Sequence, residues 1–224
     1  MRRFKLMSIT EVEAMLATID FGREITHIQI HHTWKPTLAQ YSASADKEDI
    51  ILGMYNYHVD VKGMSDIAQH FTVVPAGLWD GRPLTKNPGG FRITPTGDPN
   101  KGGICLEFLG NFDQGEEILT GPQLENGIRL IRAIIKRFPK VAIIFHREKD
   151  ATKSCPGTGI SKDWFLAQLI DPIDQTLDWA VADGGITNRS LWEQYLKGQR
   201  FISPTHVRLM INNYHKALER AKED

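Results

Sequence analysis

The sequence lacks an excess of charge of either sign. It contains 27 lysines and arginines against 27 aspartates and glutamates. A chain without net charge creates no overall field that attracts a polyanion. We therefore expect no nucleic-acid partner and no general binding to anionic lipid, although a local groove for a polar ligand stays compatible with this balance.

Long apolar runs are also missing. No stretch approaches the roughly 20 apolar residues that a membrane-spanning helix needs, so we expect no membrane span. The start of the chain is basic, but Glu11 and Glu13 follow soon after it, and neither an apolar core nor a small-residue cleavage site is present. The sequence therefore predicts a protein without a signal peptide that is made in the cytoplasm.

Cysteine is scarce, and this scarcity excludes a disulfide-based scaffold. The two cysteines are Cys105 and Cys155. Cys105 lies in the apolar run GGICLEFLG, which predicts a buried and inert thiol. Cys155 lies in the polar loop ATKSCPGTG, which is a poor place for a core thiol and a good one for a ligand.

Hydrophobic residues make up 41% of the chain, which is enough for one substantial core. Ser8 and Glu11 predict a capped helix near the start, and Thr120 and Gln123 predict a second capping box on a long amphipathic helix. Predicted strands lie at residues 27–30, 66–77, 103–112 and 141–146. Strands and helices mix without strict alternation, so we predict an α/β fold in which helices flank a mixed central β-sheet.

Two of the predicted strands lead to a histidine: His31 directly follows residues 27–30, and His146 ends residues 141–146. Cys155 follows nine residues after His146. Two imidazoles and a thiolate are good zinc ligands, and three protein ligands with one open position are typical of a catalytic zinc site. Eight histidines offer many such triples. Spacing alone therefore does not separate a zinc site from ordinary surface or core histidines.

Four motifs together resemble one known family. The segments IQIHHTW, DIAQHFTVVPAGLWDGRPL, GGICLEFLGNFD and FHREKDATKSCPGTGI have the order and spacing found in the zinc-dependent N-acetylmuramoyl-L-alanine amidases. This family includes peptidoglycan-recognition proteins and phage endolysins. The resemblance covers roughly residues 22–168, and it implies an amidase domain over residues 1–170.

The resemblance implies a role for five residues. His31, His146 and Cys155 match the zinc ligands of the family, and zinc lowers the pKa of bound water to about 7. Glu107 matches a catalytic glutamate that would take the proton of the water and pass it to the leaving nitrogen. Lys153 would stabilise the oxyanion and favour the Cys155 thiolate. For Glu107 and Lys153, the alternatives are a salt-bridge partner and a solvated loop charge.

The sequence departs from several relatives at Gln69. In those relatives a catalytic tyrosine precedes the His-Phe pair of the corresponding strand. In this sequence the pair is His70 and Phe71, in the strand predicted at residues 66–77. Glutamine cannot replace a phenol in proton transfer, so the departure shifts that task to Glu107. We predict that His70 is buried and hydrogen-bonded, and that His32 points away from His31 because side chains alternate along a strand.

Residues that border the motifs are candidates for contacts with sugar rings and peptide groups. These substrate-binding candidates are Trp34, Trp79, Arg82 and Asn111. Each is equally compatible with a role in the core or on the surface.

The resemblance implies a hydrolase for the amide between N-acetylmuramic acid and L-alanine, with Zn²⁺ as cofactor and cell-wall peptidoglycan as partner. A non-catalytic peptidoglycan-binding protein is the alternative, although relatives of that kind often lack the cysteine ligand. A third possibility is a closed structural zinc site. An endolysin or autolysin that reaches the wall after release, in phage, prophage or mother-cell lysis, fits the missing signal peptide.

Residues 171–224 differ in character from the rest of the chain. A helix ended by Gly184–Gly185 and a terminal helix opened by Pro204 are predicted there. About fifty residues are marginal for an independent core. This small helical segment is compatible with wall targeting, with self-association into a homo-oligomer, or with packing on the first domain.

Overall fold

The computed structural model describes residues 4–170, 181–182, 186, 188–197, 208, 211–213 and 216. The chain divides into two compact units, residues 1–165 and 166–224. In the second unit, one helix, α6, covers Arg189–Leu196, and the Asn188 side chain accepts a hydrogen bond from the Leu191 backbone N–H at its start. The helix ends predicted at Gly184–Gly185 and Pro204 lie outside the described residues.

The first unit is built on a six-stranded mixed sheet, which confirms the predicted fold class. The strands are β1 (Leu6–Met7), β2 (His27–His32), β3 (Phe71–Val74), β4 (Gly77–Asp80), β5 (Gly103–Phe108) and β6 (Ala142–Phe145). Their order in the sheet is β1-β4-β3-β5-β2-β6. The four strands β3, β5, β2 and β6 run parallel, whereas β4 pairs antiparallel with both β1 and β3.

The α-helices that begin in this unit are α1 (Ile9–Thr18), α2 (Leu38–Ala43), α3 (Lys47–Asn56), α4 (Gly121–Arg137) and α5 (Lys162–Ala167). The predicted capping box of Ser8 and Glu11 is present at α1. The one predicted at α4 is wrong, because the Thr120 side chain makes no capping hydrogen bond. Gln123 is buried instead, and its amide nitrogen donates to the backbone carbonyls of Val73 and Leu109. Gln123 thus joins α4 to the sheet.

The second difference between the sequence prediction and the structure concerns the strand predicted at residues 66–77. It is replaced by a β3–β4 hairpin whose turn contains Pro75. Proline has no N–H for the strand ladder, so the strand ends before it. β4 then returns along β3 at Gly77–Asp80, whereas the sequence patterns predicted no strand after residue 77.

The parallel register of β2 and β5 gives the sheet two different faces. Side chains alternate along each strand, and His31 lies opposite Glu107 while Gln29 lies opposite Cys105. These polar residues share one face, and the intervening aliphatic side chains, all fully buried, share the other: Ile28, Ile30, Ile104 and Leu106. Helix α4 packs on this apolar side, where Gly127 leaves room for the Phe108 ring.

Within the described residues, no helix is both long and apolar enough to cross a membrane.

Candidate metal centre

Three side chains of the types that bind metal ions meet at the carboxyl end of the central strands. His31 is the fifth residue of β2, His146 directly follows β6, and Cys155 lies on the next loop. One donor atom from each lies within 4.8 Å of the other two, and the Cys155 Sγ lies 3.5 Å from the His31 Nδ1. Tetrahedral zinc with ordinary Zn–N and Zn–S bonds places such a pair about 3.6 Å apart. The donor set and its spacing therefore fit a metal ion such as zinc.

The protonation of the imidazoles also suits metal binding. Burial lowers the pKa of His31 well below its ordinary value and lowers that of His146. Both rings are therefore neutral near pH 7, and the neutral form is the one that binds a metal.

The pKa of the Cys155 thiol is shifted in the opposite direction from the one that the sequence predicted. Burial raises its pKa to about 12, and the opposing effects come from the His32 backbone N–H, 3.3 Å from Sγ, and from Arg147 rather than from Lys153. Without a cation in the site, Cys155 is therefore protonated. A metal ion that binds here must displace this proton.

Arg147 holds the loop that carries Cys155. Its backbone N–H donates to the Cys155 carbonyl, and its guanidinium donates to the carbonyls of Gly157 at 2.8 Å and Ile160 at 2.6 Å. Because Arg147 adjoins His146 in the chain, it links the loop ligand to the strand-end ligand. In the sequence, the only indication of this role for Arg147 is its position next to His146, a predicted ligand.

Glu107 lies on β5, beside the three donor side chains. Parallel pairing places it opposite His31 on one side and Thr72 on the other. Burial raises its pKa to about 7, and its Oε2 is buried without a hydrogen-bond partner among the described residues. A carboxyl group with this pKa can both accept and release a proton near neutral pH.

A cavity of about 450 Å³ opens over the three donors and Glu107. Lys153 and Trp34 line it, and the Trp34 side chain is 54% exposed. A second groove, of about 720 Å³, runs between the loop of residues 92–99 and Lys149, and His146 lines both spaces. The predicted metal ligands, Glu107, Lys153 and Trp34 are therefore gathered around one cavity.

The other three substrate-binding candidates are placed differently. Trp79 is buried in a hydrophobic cluster, where its indole N–H donates to the Tyr41 hydroxyl. Arg82 donates to the backbone carbonyls of Ile67 and Asp66 and fixes the chain before β3. Asn111 is also buried, and its side-chain oxygen accepts from the Asp113 backbone N–H. None of the three lines the cavity, and each has a structural task that its position between motifs did not reveal.

The histidines and the glutamine next to the motifs have structural partners. His32 is buried at the cavity wall, where its Nδ1 accepts from the Phe112 backbone N–H. His70 is 1% exposed; its Nδ1 accepts from the Cys105 backbone N–H, and its Nε2 lies 2.9 Å from the Lys86 carbonyl. Gln69 donates to the Thr72 hydroxyl.

His58 and Tyr57 are cavity residues that the sequence did not indicate. A π-helical turn at Tyr57–Val61 continues α3 and brings both side chains to the cavity. The His58 Nδ1 accepts from the Ala68 backbone N–H at 3.3 Å, and burial lowers the pKa of His58 to about 4. The neutral ring therefore carries its proton on Nε2. No local sequence pattern predicts this approach, because it depends on how the turn packs against residue 68.

The mixed sheet and the three-donor cluster at its strand ends define an α/β protein with a candidate metal centre in a cavity. The chain matches the family model described as N-acetylmuramoyl-L-alanine amidase over residues 21–158 and belongs to that family. A search of curated proteins gave no match.

Solved structures that match this chain include two endolysins and a recognition protein. The Ph2119 endolysin from a Thermus scotoductus bacteriophage is 21% identical with a TM-score of 0.51, over 66% of this chain and 86% of the endolysin. The amidase endolysin LysCS from Clostridium intestinale is 21% identical with a TM-score of 0.47, over 68% and 88% of the two chains. Drosophila PGRP-LB is 19% identical with a TM-score of 0.49, over 61% and 76%.

Proposed function

We propose that this protein is a zinc-dependent hydrolase that cleaves the amide between N-acetylmuramic acid and the L-alanine of the peptidoglycan stem peptide. The observation that carries the proposal is the placement of Glu107, with its raised pKa, beside three metal donors in one cavity. Membership of the amidase family supports the choice of bond.

His31, His146 and Cys155 would hold the zinc ion. Within the described part of the chain, the cluster contains these three donors and no fourth. This favours an open, catalytic site over a closed structural one. A zinc ion held by these donors would act as a Lewis acid and activate water for attack on an unactivated amide.

Glu107 is proposed to move the proton. Its carboxylate form accepts a proton from the attacking water, and its acid form returns this proton to the departing nitrogen of L-alanine. A pKa of about 7 makes both forms accessible near neutral pH. General acid–base catalysis of this kind contributes about 10²- to 10⁴-fold to the rate, so Glu107→Gln should lose that factor.

Two further side chains are proposed to stabilise the negative charge that develops on the carbonyl oxygen. Lys153 lines the cavity and brings a positive charge. His58 lines it too, and in its neutral form it presents an N–H donor at Nε2. The Gln69 amide donates to Thr72 instead, so His58 would supply this second donor.

Peptidoglycan is proposed to lie along the cavity and the adjoining groove. Exposed Trp34 offers an aromatic face for a sugar ring at one side of the cavity. Thr94, Asp98 and Lys149 line the groove on the far side of His146, where they offer polar partners for the stem peptide. The proposed setting is an endolysin or autolysin that acts on the cell wall after release, and a role of residues 171–224 in wall targeting or self-association belongs to the same proposal.

Digestion of defined muropeptides with mass analysis tests the function. We expect stoichiometric zinc in the purified protein and products that consist of an intact sugar and a stem with a free L-alanine amino group. Glu107→Gln should keep its zinc and lose turnover, whereas Glu125→Gln, an exposed carboxylate on α4, should keep both. Binding of wall fragments without turnover would identify a recognition protein instead, and cleavage at another bond would refute the proposed substrate.

A further inference from the structure

A second buried glutamine, Gln29, lies beside the proposed metal centre in the middle of β2. It is fully buried on the same face of the sheet as His31 and precedes His31 by two residues in the strand. Its amide nitrogen donates to the Asn100 side-chain oxygen at 3.3 Å and lies 3.2 Å from the His27 Nε2. A polar amide at the centre of a strand requires such partners, because burial without them is costly.

Asn100 fixes which way the Gln29 amide faces. The Asn100 side-chain oxygen accepts from the Phe91 backbone N–H at 2.8 Å, and its nitrogen donates to the Phe91 carbonyl at 2.9 Å and to Asp98 at 2.8 Å. The oxygen of Asn100 therefore faces Gln29 and requires a donor there. This assigns the Gln29 nitrogen to the Asn100 side and leaves its oxygen, Oε1, on the other side.

The Gln29 Oε1 and the His31 Nε2 converge on one small space. Both atoms are buried and lack a hydrogen-bond partner among the described residues. Gly90 covers this space, and a Cβ atom at Gly90 would lie 2.5 Å from Oε1 and 2.7 Å from Nε2. The two unpartnered atoms are thus kept near each other under a residue without a side chain.

The two ring nitrogens of His31 face different surroundings. Nδ1 faces Cys155, the neighbouring metal donor. A neutral imidazole that binds a metal through Nδ1 carries its proton on Nε2, and this N–H requires an acceptor. Among the described residues, the unpartnered oxygen acceptor at that position is the Gln29 Oε1. The Cys105 Sγ, 2.9 Å from the same Cβ position at Gly90, is a weaker acceptor.

We propose that Gln29 is a positioning residue for His31: its Oε1 accepts the hydrogen bond of the His31 Nε2–H and so keeps Nδ1 available for the metal. A small shift of the side chains below Gly90, or one buried water, completes this bond. Asn100 then connects the metal ligand to the loop that carries Phe91. The inference rests on the metal centre of the proposed function, and it adds a role outside the set of ligands.

Zinc affinity, measured by competition with a chromogenic chelator, tests the inference without relying on turnover. Loss of a hydrogen-bond partner of a metal-binding histidine typically costs about 10- to 100-fold in affinity, and Gln29→Leu should show a loss of this size. Gln29→Glu should recover most of it, because a buried, protonated carboxyl group can donate to Asn100 and accept from His31. Gly90→Ala should weaken binding as well, since its methyl group would intrude between the two atoms.

Gln123→Leu is the matched control. This buried glutamine also makes two hydrogen bonds, but it makes them to the carbonyls of Val73 and Leu109, outside the cavity. Its loss should lower the melting temperature and leave the zinc affinity unchanged. The comparison separates a general loss of stability from a specific effect on His31.

The outcomes distinguish this inference from the proposed function. If the wild-type protein binds zinc and Gln29→Leu binds it equally tightly, the inference is wrong and the proposed function stands. If the wild-type protein binds no zinc, both fail. If Gln29→Leu does not fold, Gly90→Ala carries the test, and unchanged affinity in that variant overturns the inference.

Discussion

Removal of the Glu107 charge should stabilise the metal-free protein in alkaline solution. The ordinary pKa of a glutamate is 4.5, and burial raises that of Glu107 to about 7. Because the folded state holds this proton more tightly than the unfolded state, the stability present below pH 4.5 is lost as the pH rises to about 7. Glu107→Gln has no charge to bury and should escape this loss.

The shift in pKa sets the size of the effect. About 2.5 units at 1.36 kcal/mol per unit amount to about 3 kcal/mol between acid and alkaline solution. This is an upper limit, since the residue as a whole is only partly buried. For a domain of this size, about 3 kcal/mol corresponds to roughly 6–12 °C in melting temperature.

Thermal unfolding of both proteins after chelator treatment provides the assay. At pH 5, Glu107→Gln should melt close to the wild-type protein, and at pH 8 it should melt several degrees higher. Glu125→Gln, which alters an exposed carboxylate, should show no such divergence. The argument is that ionisation of Glu107 destabilises the folded protein. It would be refuted if the melting temperatures of Glu107→Gln and wild type differed by the same amount at both pH values.

Four further outcomes are expected. Chelator treatment should abolish turnover and added zinc should restore it, with an unchanged far-ultraviolet circular dichroism spectrum; activity that survives complete zinc removal would contradict the metal assignment. Lys153→Ala should cost about 2.7–4 kcal/mol of transition-state stabilisation, seen in kcat more than in KM, and a pure KM effect would show a binding role instead. His58→Phe should lower kcat about 10²- to 10³-fold with zinc content retained, and an unaffected kcat would remove His58 from the mechanism. Arg147→Met should lower stability by about 1–3 kcal/mol and weaken zinc binding in a chelator titration, whereas Arg129→Met, which breaks an exposed ion pair with Glu13, should change neither by much.

Local patterns predicted the parts of the fold that depend on neighbouring residues. The capping box at α1 and the strand before His146 follow from sequence spacing and alternation, and both are present. The failures depend on distant contacts. The Gln123 amide donates to the carbonyls of Val73 on β3 and of Leu109 just after β5 instead of capping the helix. β4 pairs with β1 from the start of the chain as well as with β3.

The same distinction holds at the candidate site. The sequence singled out His31 and His146 because each follows an apolar strand, and parallel strands bring their carboxyl ends to one edge of the sheet. The sequence could not distinguish Trp34, which is exposed, from Trp79, which is buried. The burial of Trp79 depends on its contact with Tyr41 of α2, which is distant in the chain. Gln29 and His58 are likewise placed by contacts distant in sequence. Gly90 covers the Gln29 side chain, and the Ala68 backbone N–H donates to the His58 ring.

The metal donors differ in how they are tied to the chain. His31 and His146 belong to the ends of paired strands, and Arg147 tethers the loop of Cys155. Backbone pairing and hydrogen bonds of the chain itself provide these ties, so under the proposed function the fold would not depend on zinc in the way that a small domain folding around its metal does. We expect an ion to be lost and regained without refolding, so that the supply of zinc in its surroundings, rather than the folding of the chain, would set how much of the protein is active.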